Sequence, residues 1–392
     1  MAGIYNPYEK YGIRRVINAA GTLTRVGGSI SPQEVFKAME DASKSFVHIP
    51  ELQSWAGRAI AEATGAEAGL PTAGSSNAIT LAAAACIMRG TELEDYDPLE
   101  QETWTRIIQR LPMHTEGLRT EFIVQRSNRN VYDHAVECAG GRFVEVGTVD
   151  GTDERELHEV FNPETTAAFY FTDRTSDKRM PLTRVAEIAH SHGAPVIVDA
   201  ASELPPKKNL SRYFSKGADL VIISGGKFIS GPNNSGLLAG SRDLVKLAHL
   251  NAYPFHGIGR GSKMSRETIV GLVTALQLYL KLDEGPLLEE WERKARWMAD
   301  EMKTMINVKV GVTYLTSVEE KESMWPLCYV DVDEEALGMT ARDLSRMLRD
   351  GDPSIEAGAR GSRLVINPEF LLEGDESIVT DRIRGILSNN VA

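Results

Sequence analysis

Between Glu121 and Ala239, six short runs rich in Val, Ile, Phe and Ala alternate with stretches of helical pattern. The runs are Glu121–Gln125, Arg142–Val146, Ala167–Thr172, Pro195–Asp199, Asp219–Ser224 and Ser235–Ala239, with Val131–Ala139 and Leu182–His192 among the helices between them. Short apolar runs separated by helix-length segments are what a parallel sheet with crossover helices requires. The chain is therefore expected to be α/β, with a large, doubly wound, mostly parallel sheet domain. At 392 residues it exceeds one ordinary core, so a second lobe is expected.

The texture changes near Ser265. A helical pattern carrying Ile269, Leu272, Val273, Leu276 and Leu280 runs toward Glu284-Gly-Pro286. A charged helix with Trp291 and Trp297 follows, then Val308–Leu315, Leu327–Val332, Thr340–Arg349 and Arg363–Ile366. This reads as a smaller α+β carboxy-terminal lobe. The expected division is an arm over 1–50 that shares in the small lobe, a large domain over 51–265, a connecting helix over 266–290 and a small domain over 291–392. The arm, with Ile17-Asn-Ala-Ala-Gly-Thr and Gly27-Gly, reads as a crossing loop and not as a core element. Residues 91–117 read as irregular and acidic.

Composition excludes several classes. A formal net charge of −12 disfavours nucleic acid, because phosphate backbones need clustered Lys and Arg. Cys86, Cys138 and Cys328 are odd in number and have no metal-ligand spacing, which fits a reducing cytoplasm and no metal site. The first residues show no basic and apolar signal pattern. The longest apolar run, Ala78–Met88, is shorter than the roughly 20 residues of a membrane helix, so no membrane partner is expected.

Three local signals carry chemistry. Gly74-Ser75-Ser76 precedes an alanine-rich helix, where free N–H groups and the helix dipole can face a phosphate; ordinary N-capping is the plain alternative. Asp199 ends an apolar run, where an unpaired carboxylate is costly and calls for a cationic partner; capping a turn or meeting a buried Arg would also satisfy it. Lys227, 28 residues further on (227 − 199), follows Ser224-Gly-Gly after another apolar run. Most lysines are solvated surface charges, but desolvation at a strand end would leave this one a free amine able to form imines and move protons. Together, a phosphate loop, a carboxylate and a lysine are the set a pyridoxal phosphate enzyme needs. The lysine forms a Schiff base with the cofactor, and the carboxylate keeps the pyridine nitrogen protonated.

The chain order of these signals resembles the fold type I pyridoxal phosphate enzymes, the aspartate aminotransferase superfamily. Ile17-Asn-Ala-Ala-Gly-Thr, Arg129-Asn-Val-Tyr132-Asp133-His134-Ala135, Val198-Asp-Ala-Ala-Ser-Glu203-Leu-Pro-Pro206, Gly225-Gly-Lys227 and His256-Gly-Ile-Gly259-Arg260 with Lys263 look like its selenocysteine synthase-like group. That group includes D-glucosaminate-6-phosphate ammonia-lyases. The resemblance implies Lys227 as the Schiff-base lysine and Asp199 as the partner of the pyridine nitrogen. It implies Gly74, Ser75, Ser76 and Ser224 as phosphate contacts, with Ser202 and Tyr132 as further cofactor contacts. It also implies a homodimer or larger assembly, with the loop of Arg260 and Lys263 reaching an active site.

The chain departs from the group's pattern at Asn128, near which a histidine ring over the cofactor would be expected; Tyr132 or His134 is left to replace it. The loop Gly259–Lys263 also has small residues where the group has a bulkier Pro-Met pair, so substrate shape is expected to differ.

An amino-acid substrate calls for an arginine whose planar fork matches its carboxylate. Arg260 is favoured, then Arg25, with Arg360 or Arg363 as the remaining candidates and a surface salt bridge as the plain alternative for each. The expected outcome is removal of water and ammonia from a hydroxylated amino acid or amino-sugar acid. Racemisation, β-substitution and oxidation use the same residues. A selenium transferase would need a tRNA-binding module ahead of the motif that begins at Ile17. A binding module without turnover would not need both Lys227 and Asp199.

Overall fold

The computed structural model describes residues 6–172, 178–315 and 325–388, and the chain divides into two compact units, Ile30–Leu282 and Met1–Ser29 with Asp283–Ala392.

The strands in chain order are β1 (Val16–Ala19), β2 (Ala68–Thr72), β3 (Glu121–Gln125), β4 (Arg142–Val146), β5 (Thr165–Phe171), β6 (Val196–Asp199), β7 (Leu220–Ser224), β8 (Gly236–Gly240), β9 (Val308–Leu315), β10 (Trp325–Val332), β11 (Ser354–Arg360) and β12 (Arg363–Ile366). The larger unit carries a seven-stranded sheet in the order β2-β8-β7-β6-β5-β3-β4. β3, β4, β5, β6 and β7 pair in parallel, while β8 is antiparallel to both of its neighbours. Every residue of β3, β6, β7 and β8 is buried, as strands covered on both faces must be. The α/β expectation and its six strands hold, with no strand end moved by more than two residues.

Helix α1 (Gln33–Ser43) and helix α2 (Ile49–Thr64) pack against the helix Arg266–Lys281, so this last helix belongs to the larger unit and does not stand apart as a connector. Helix α3 (Ser75–Met88) is apolar on all sides and has ten buried residues. A helix of that kind is a core element. Its alanines let it lie close to the helix Arg242–Asn251 and the strands beneath.

The smaller unit has a five-stranded sheet, β1-β11-β12-β10-β9. Here the amino-terminal arm departs from its reading as a crossing loop. β1 pairs in parallel with β11, and Ile17 and Ala19 are fully buried. Period-2 burial over only four residues is too short a signal to identify a strand before its partner is known.

Three other local readings change. β2 contains Gly69 and Pro71, which break a strand pattern; it is an edge strand, where a proline is tolerated. The stretch 91–117 contains the helix Gln101–Arg110, anchored by buried Ile107 and by the Trp104 indole N–H donating to the Pro98 carbonyl at 2.6 Å. The helix expected over Val131–Ala139 is one turn, His134–Glu137. Its predecessor is a polar loop in which the Asn130 side chain accepts from the Tyr132 amide and Asp133 accepts from Asn130. Such side-chain bonds compete with helix formation.

Among the described residues no helix is long and apolar enough to cross a membrane, and no group of three or more His, Cys, Asp or Glu is placed to hold a metal. Cys86 and Cys328 are buried, and burial pushes both thiols up to about 12, so they are inert core groups.

Candidate active site

In a parallel sheet the loops at the carboxyl ends of the strands are where ligands bind. Asp199 ends β6, Ser224 ends β7, and Asn128 and Thr172 follow β3 and β5. Asp199, Ser224 and Asn128 therefore lie toward one edge of the sheet because their strands run the same way. A larger cleft, about 660 Å³, lies at the opposite ends of β6 and β7 among Arg89, His190, Pro195 and Asp219. The residues singled out in the sequence, Asp199 and Ser224, lie at the other end of these strands.

The Lys227 side chain is half-buried, and its amine donates to the Ser202 hydroxyl at 2.5 Å. Ser202 stands three residues after Asp199, so the turn leaving β6 brings a hydroxyl onto the amine. Asp199 is 2% exposed, and its carboxylate accepts from the Ala201 amide at 3.0 Å. Burial is the chief influence on its proton affinity. It raises the pKa from 3.8 to about 6, with the Ala201 bond and the Lys227 charge opposing and the Glu203 charge adding. The Thr172 amide and hydroxyl both donate to the Asp199 carbonyl at 3.0 Å, which ties β5 to this strand end.

Gly74 precedes α3 with φ 88°, a left-handed geometry suited to glycine. The first-turn amides of Ser75 and Ser76 have no acceptor within the helix, and they form the positive end of a 14-residue helix. No side chain caps it, so the capping alternative for Ser75 and Ser76 fails. A Cβ on Gly236 in β8 would lie 2.7 Å from the Gly74 carbonyl carbon and 2.8 Å from the Ser75 nitrogen. Gly236→Ala is expected to displace the loop and lower stability by about 1–3 kcal/mol, read as a lower midpoint in thermal unfolding. An unchanged midpoint would show that the loop yields freely. Gly226 has a similar role, because its Cβ would meet the Asn233 Cα at 2.6 Å.

Asn128 is buried and bonds the Phe171 backbone in both directions: its amide donates to the carbonyl at 2.6 Å, and its oxygen accepts the N–H at 2.9 Å. It is a stitch between the ends of β3 and β5, which explains an amide at this place. Tyr132 is 54% exposed and lines a cleft of about 460 Å³ with Ser76, Asn77, His134 and Ser262. His134 is exposed, and its ring bonds Glu137 at 2.6 Å.

Arg260 is half-buried, its guanidinium 5.3 Å from the Tyr253 ring centre, and the Lys263 amine is 5.9 Å from the same ring. Among the described residues neither has a carboxylate partner, so both charges remain available to an anion. Arg25 and Arg360 belong to the smaller unit. Arg25 is held by buried Glu356 at 2.7 Å, and Arg363 by Asp331 at 2.5 Å, while Arg360 is exposed at the end of β11.

Sequence reading missed two buried groups after β6, Glu203 and Tyr213. Glu203 is 6% exposed, and the Tyr213 hydroxyl donates to it at 3.3 Å. Apart from its place in a motif string, no local signal marks Glu203 as buried.

The family model described as Cys/Met metabolism PLP-dependent enzyme matches residues 127–251, which include Asp199 and Lys227. A 5'-C-glycyluridine monooxygenase-decarboxylase from Streptomyces is 31% identical over 95% of this chain and 90% of its own length. The D-glucosaminate-6-phosphate ammonia lyase of Salmonella typhimurium is 27% identical over 97% of this chain and 98% of its own. A solved structure of a D-glucosaminate-6-phosphate ammonia-lyase superposes with a TM-score of 0.78 at 25% identity, covering all of both chains. Its fold is that of the fold type I enzymes. With pyridoxal phosphate as cofactor, the chain belongs to the fold type I pyridoxal phosphate-dependent enzymes of the selenocysteine synthase-like group.

Proposed function

We propose that the protein is a pyridoxal phosphate-dependent lyase that removes water and ammonia from a hydroxylated amino acid or amino-sugar acid, giving a 2-oxo acid. The observation that carries this is the placement of the Lys227 amine, the buried Asp199 carboxylate and the open amides of Ser75 and Ser76 at the same edge of one sheet. Likeness to the ammonia lyase over nearly the whole chain supports the reaction class.

These residues fit the cofactor. A phosphate dianion suits the uncapped end of α3, with the Ser224 hydroxyl and the Gly74 turn beside it. A pyridine nitrogen held protonated suits Asp199, whose burial makes an unpartnered charge costly. When bound, pyridoxal phosphate supplies an electron sink that makes the α-hydrogen of an amino acid acidic.

The chain's own groups do the rest. Lys227 Nζ would hold the cofactor and, as a free amine beside the substrate, would take the α-hydrogen. Ser202 Oγ orients that amine through the 2.5 Å hydrogen bond. Arg260 receives the substrate carboxylate, with Lys263 beside it. Loss of the α-hydrogen and the β-hydroxyl together makes one water, and hydrolysis of the released enamine gives one oxo acid and one ammonia.

A second reading is favoured by one observation: the monooxygenase-decarboxylase has the higher identity of these two relatives, 31% against 27%. It would use the same residues but would consume oxygen and release carbon dioxide. Incubating the purified holoenzyme with 3-hydroxy amino acids, amino-sugar acids and glycyl nucleosides tests both. Ammonia and oxo acid without oxygen uptake support the lyase. Oxygen uptake with carbon dioxide release selects the other, and loss of optical activity alone would mark a racemase.

A further inference from the structure

The loop that carries Arg260 and Lys263 is fixed from several sides by groups with no part in the chemistry. Gln53 in α2 is 2% exposed, and both ends of its amide are engaged. Its N–H donates to the Tyr253 carbonyl at 2.6 Å, and its oxygen accepts from the His249 ring at 3.0 Å. The Gly259 amide donates to the Asn251 carbonyl at 2.8 Å, where Gly259 pairs with Ala252 as an isolated parallel bridge. A Cβ on Gly257 would lie 2.5 Å from the Asn251 Cα, so backbone meets backbone there. On the other flank the Trp104 ring centre is 4.5 Å from that of His256. Between these anchors the Tyr253 ring faces both cations, its centre 5.3 Å from the Arg260 guanidinium and 5.9 Å from the Lys263 amine.

A long cationic side chain without a carboxylate partner samples many rotamers, and an anion that binds it must halt that motion. An aromatic face within about 6 Å holds a cation by attraction to its π electrons without neutralising it. A carboxylate in place of the ring would occupy the charge, as Glu356 does for Arg25. The ring restrains Arg260 and leaves its fork open to an anion.

We propose that Tyr253 is a positioning residue that acts through Arg260, its ring, mounted on Gln53, holding the guanidinium in place for the substrate carboxylate. The proposal rests on the reading above that Arg260 receives that carboxylate. Lys263, at the same ring, adds a second positive charge to the field the anion meets. The effect falls on ligands that carry a carboxylate and not on proton transfer at Lys227.

The test compares DL-serine with 2-aminoethanol, which has the amine and hydroxyl of serine but no carboxylate. Each is titrated into holoenzyme and half-saturation is read from the visible absorbance, for wild type, Tyr253→Leu, Tyr253→Phe, Arg260→Ala and a double variant with Tyr253→Leu and Arg260→Ala. Tyr253→Leu is expected to raise the serine concentration at half-saturation about threefold or more, with that for 2-aminoethanol within about twofold of wild type. Tyr253→Phe, which keeps the ring, should recover most of the loss. In the Arg260→Ala background Tyr253→Leu should add nothing, because the two residues work as one unit. An unchanged serine preference in Tyr253→Leu overturns the proposal. So does an equal loss for both ligands, or a full extra loss in the double variant, since Tyr253 would then act on the fold and not through Arg260. If Tyr253→Leu does not fold, an unmoved serine preference in Gln53→Met overturns it. A wild type without preference for serine would instead refute the reading of Arg260 itself, and the proposal would fall with it.

Discussion

Lys227→Ala is expected to abolish turnover, with kcat falling by on the order of 10³-fold or more, because the proposed general base and covalent anchor would be lost together. The side chain is half-buried, and its contact with Ser202 joins two residues in loops outside the strands. Removing it should therefore leave the sheet intact, with stability within about 0.5 kcal/mol of wild type. A steady-state assay alongside thermal unfolding checks both halves. A third readout isolates the covalent role: borohydride reduction of the holoenzyme followed by peptide mass analysis should place the cofactor on the peptide carrying Lys227 and nowhere in the variant. Appreciable turnover in the Ala variant would mean that another group removes the proton, and the site would have to be rebuilt around it.

Asp199→Asn separates stability from function. A buried carboxylate whose pKa rises from 3.8 to about 6 is bound to its proton more tightly in the folded chain than in the unfolded one. Its contribution to stability is fully present below about pH 4 and is lost as pH rises through 6. Above that, the ionised group costs the apoprotein up to about 3 kcal/mol, from roughly two units at 1.36 kcal/mol each. The neutral Asn variant of the apoprotein should accordingly unfold at higher denaturant than wild type at pH 8, with the advantage vanishing near pH 4. Turnover should move the other way, falling about 10²-fold or more, because an amide cannot hold the ring nitrogen protonated. Equal stability of the two apoproteins at pH 8 would mean that Asp199 is already neutralised by a partner, and the proposed pairing with the cofactor would lose its physical basis.

Much of the larger unit was legible because its central strands are buried on both faces and even the half-exposed edge strand β4 carries apolar residues. β3 and β4 fall where their apolar runs begin and end, and β7 lies within its run. β1 and β2 were not, because each becomes a strand only through its partner, β11 or β8. The site divides along the same line. Asp199 and Lys227 could be found because each stands at the end of an apolar run, where a charged residue is conspicuous. The bond between Asn128 and Phe171 spans 43 residues, and that between Glu203 and Tyr213 spans 10. No local pattern announces either. The arginine proposed for the substrate carboxylate was the least legible of all, since in sequence Arg25 and Arg260 look alike, whereas a buried glutamate already holds Arg25.

By itself, then, the sequence determined the α/β class and the cofactor, and it singled out the two residues proposed to engage that cofactor, since these follow from hydrophobic run length and from the cost of placing a charge beside it. Tertiary structure alone decided which hydroxyl meets the Lys227 amine, which amide stitches β3 to β5, and that a second carboxylate, Glu203, is buried after β6. Those facts depend on the parallel direction of strands far apart in the chain, and direction is settled only when the whole sheet assembles.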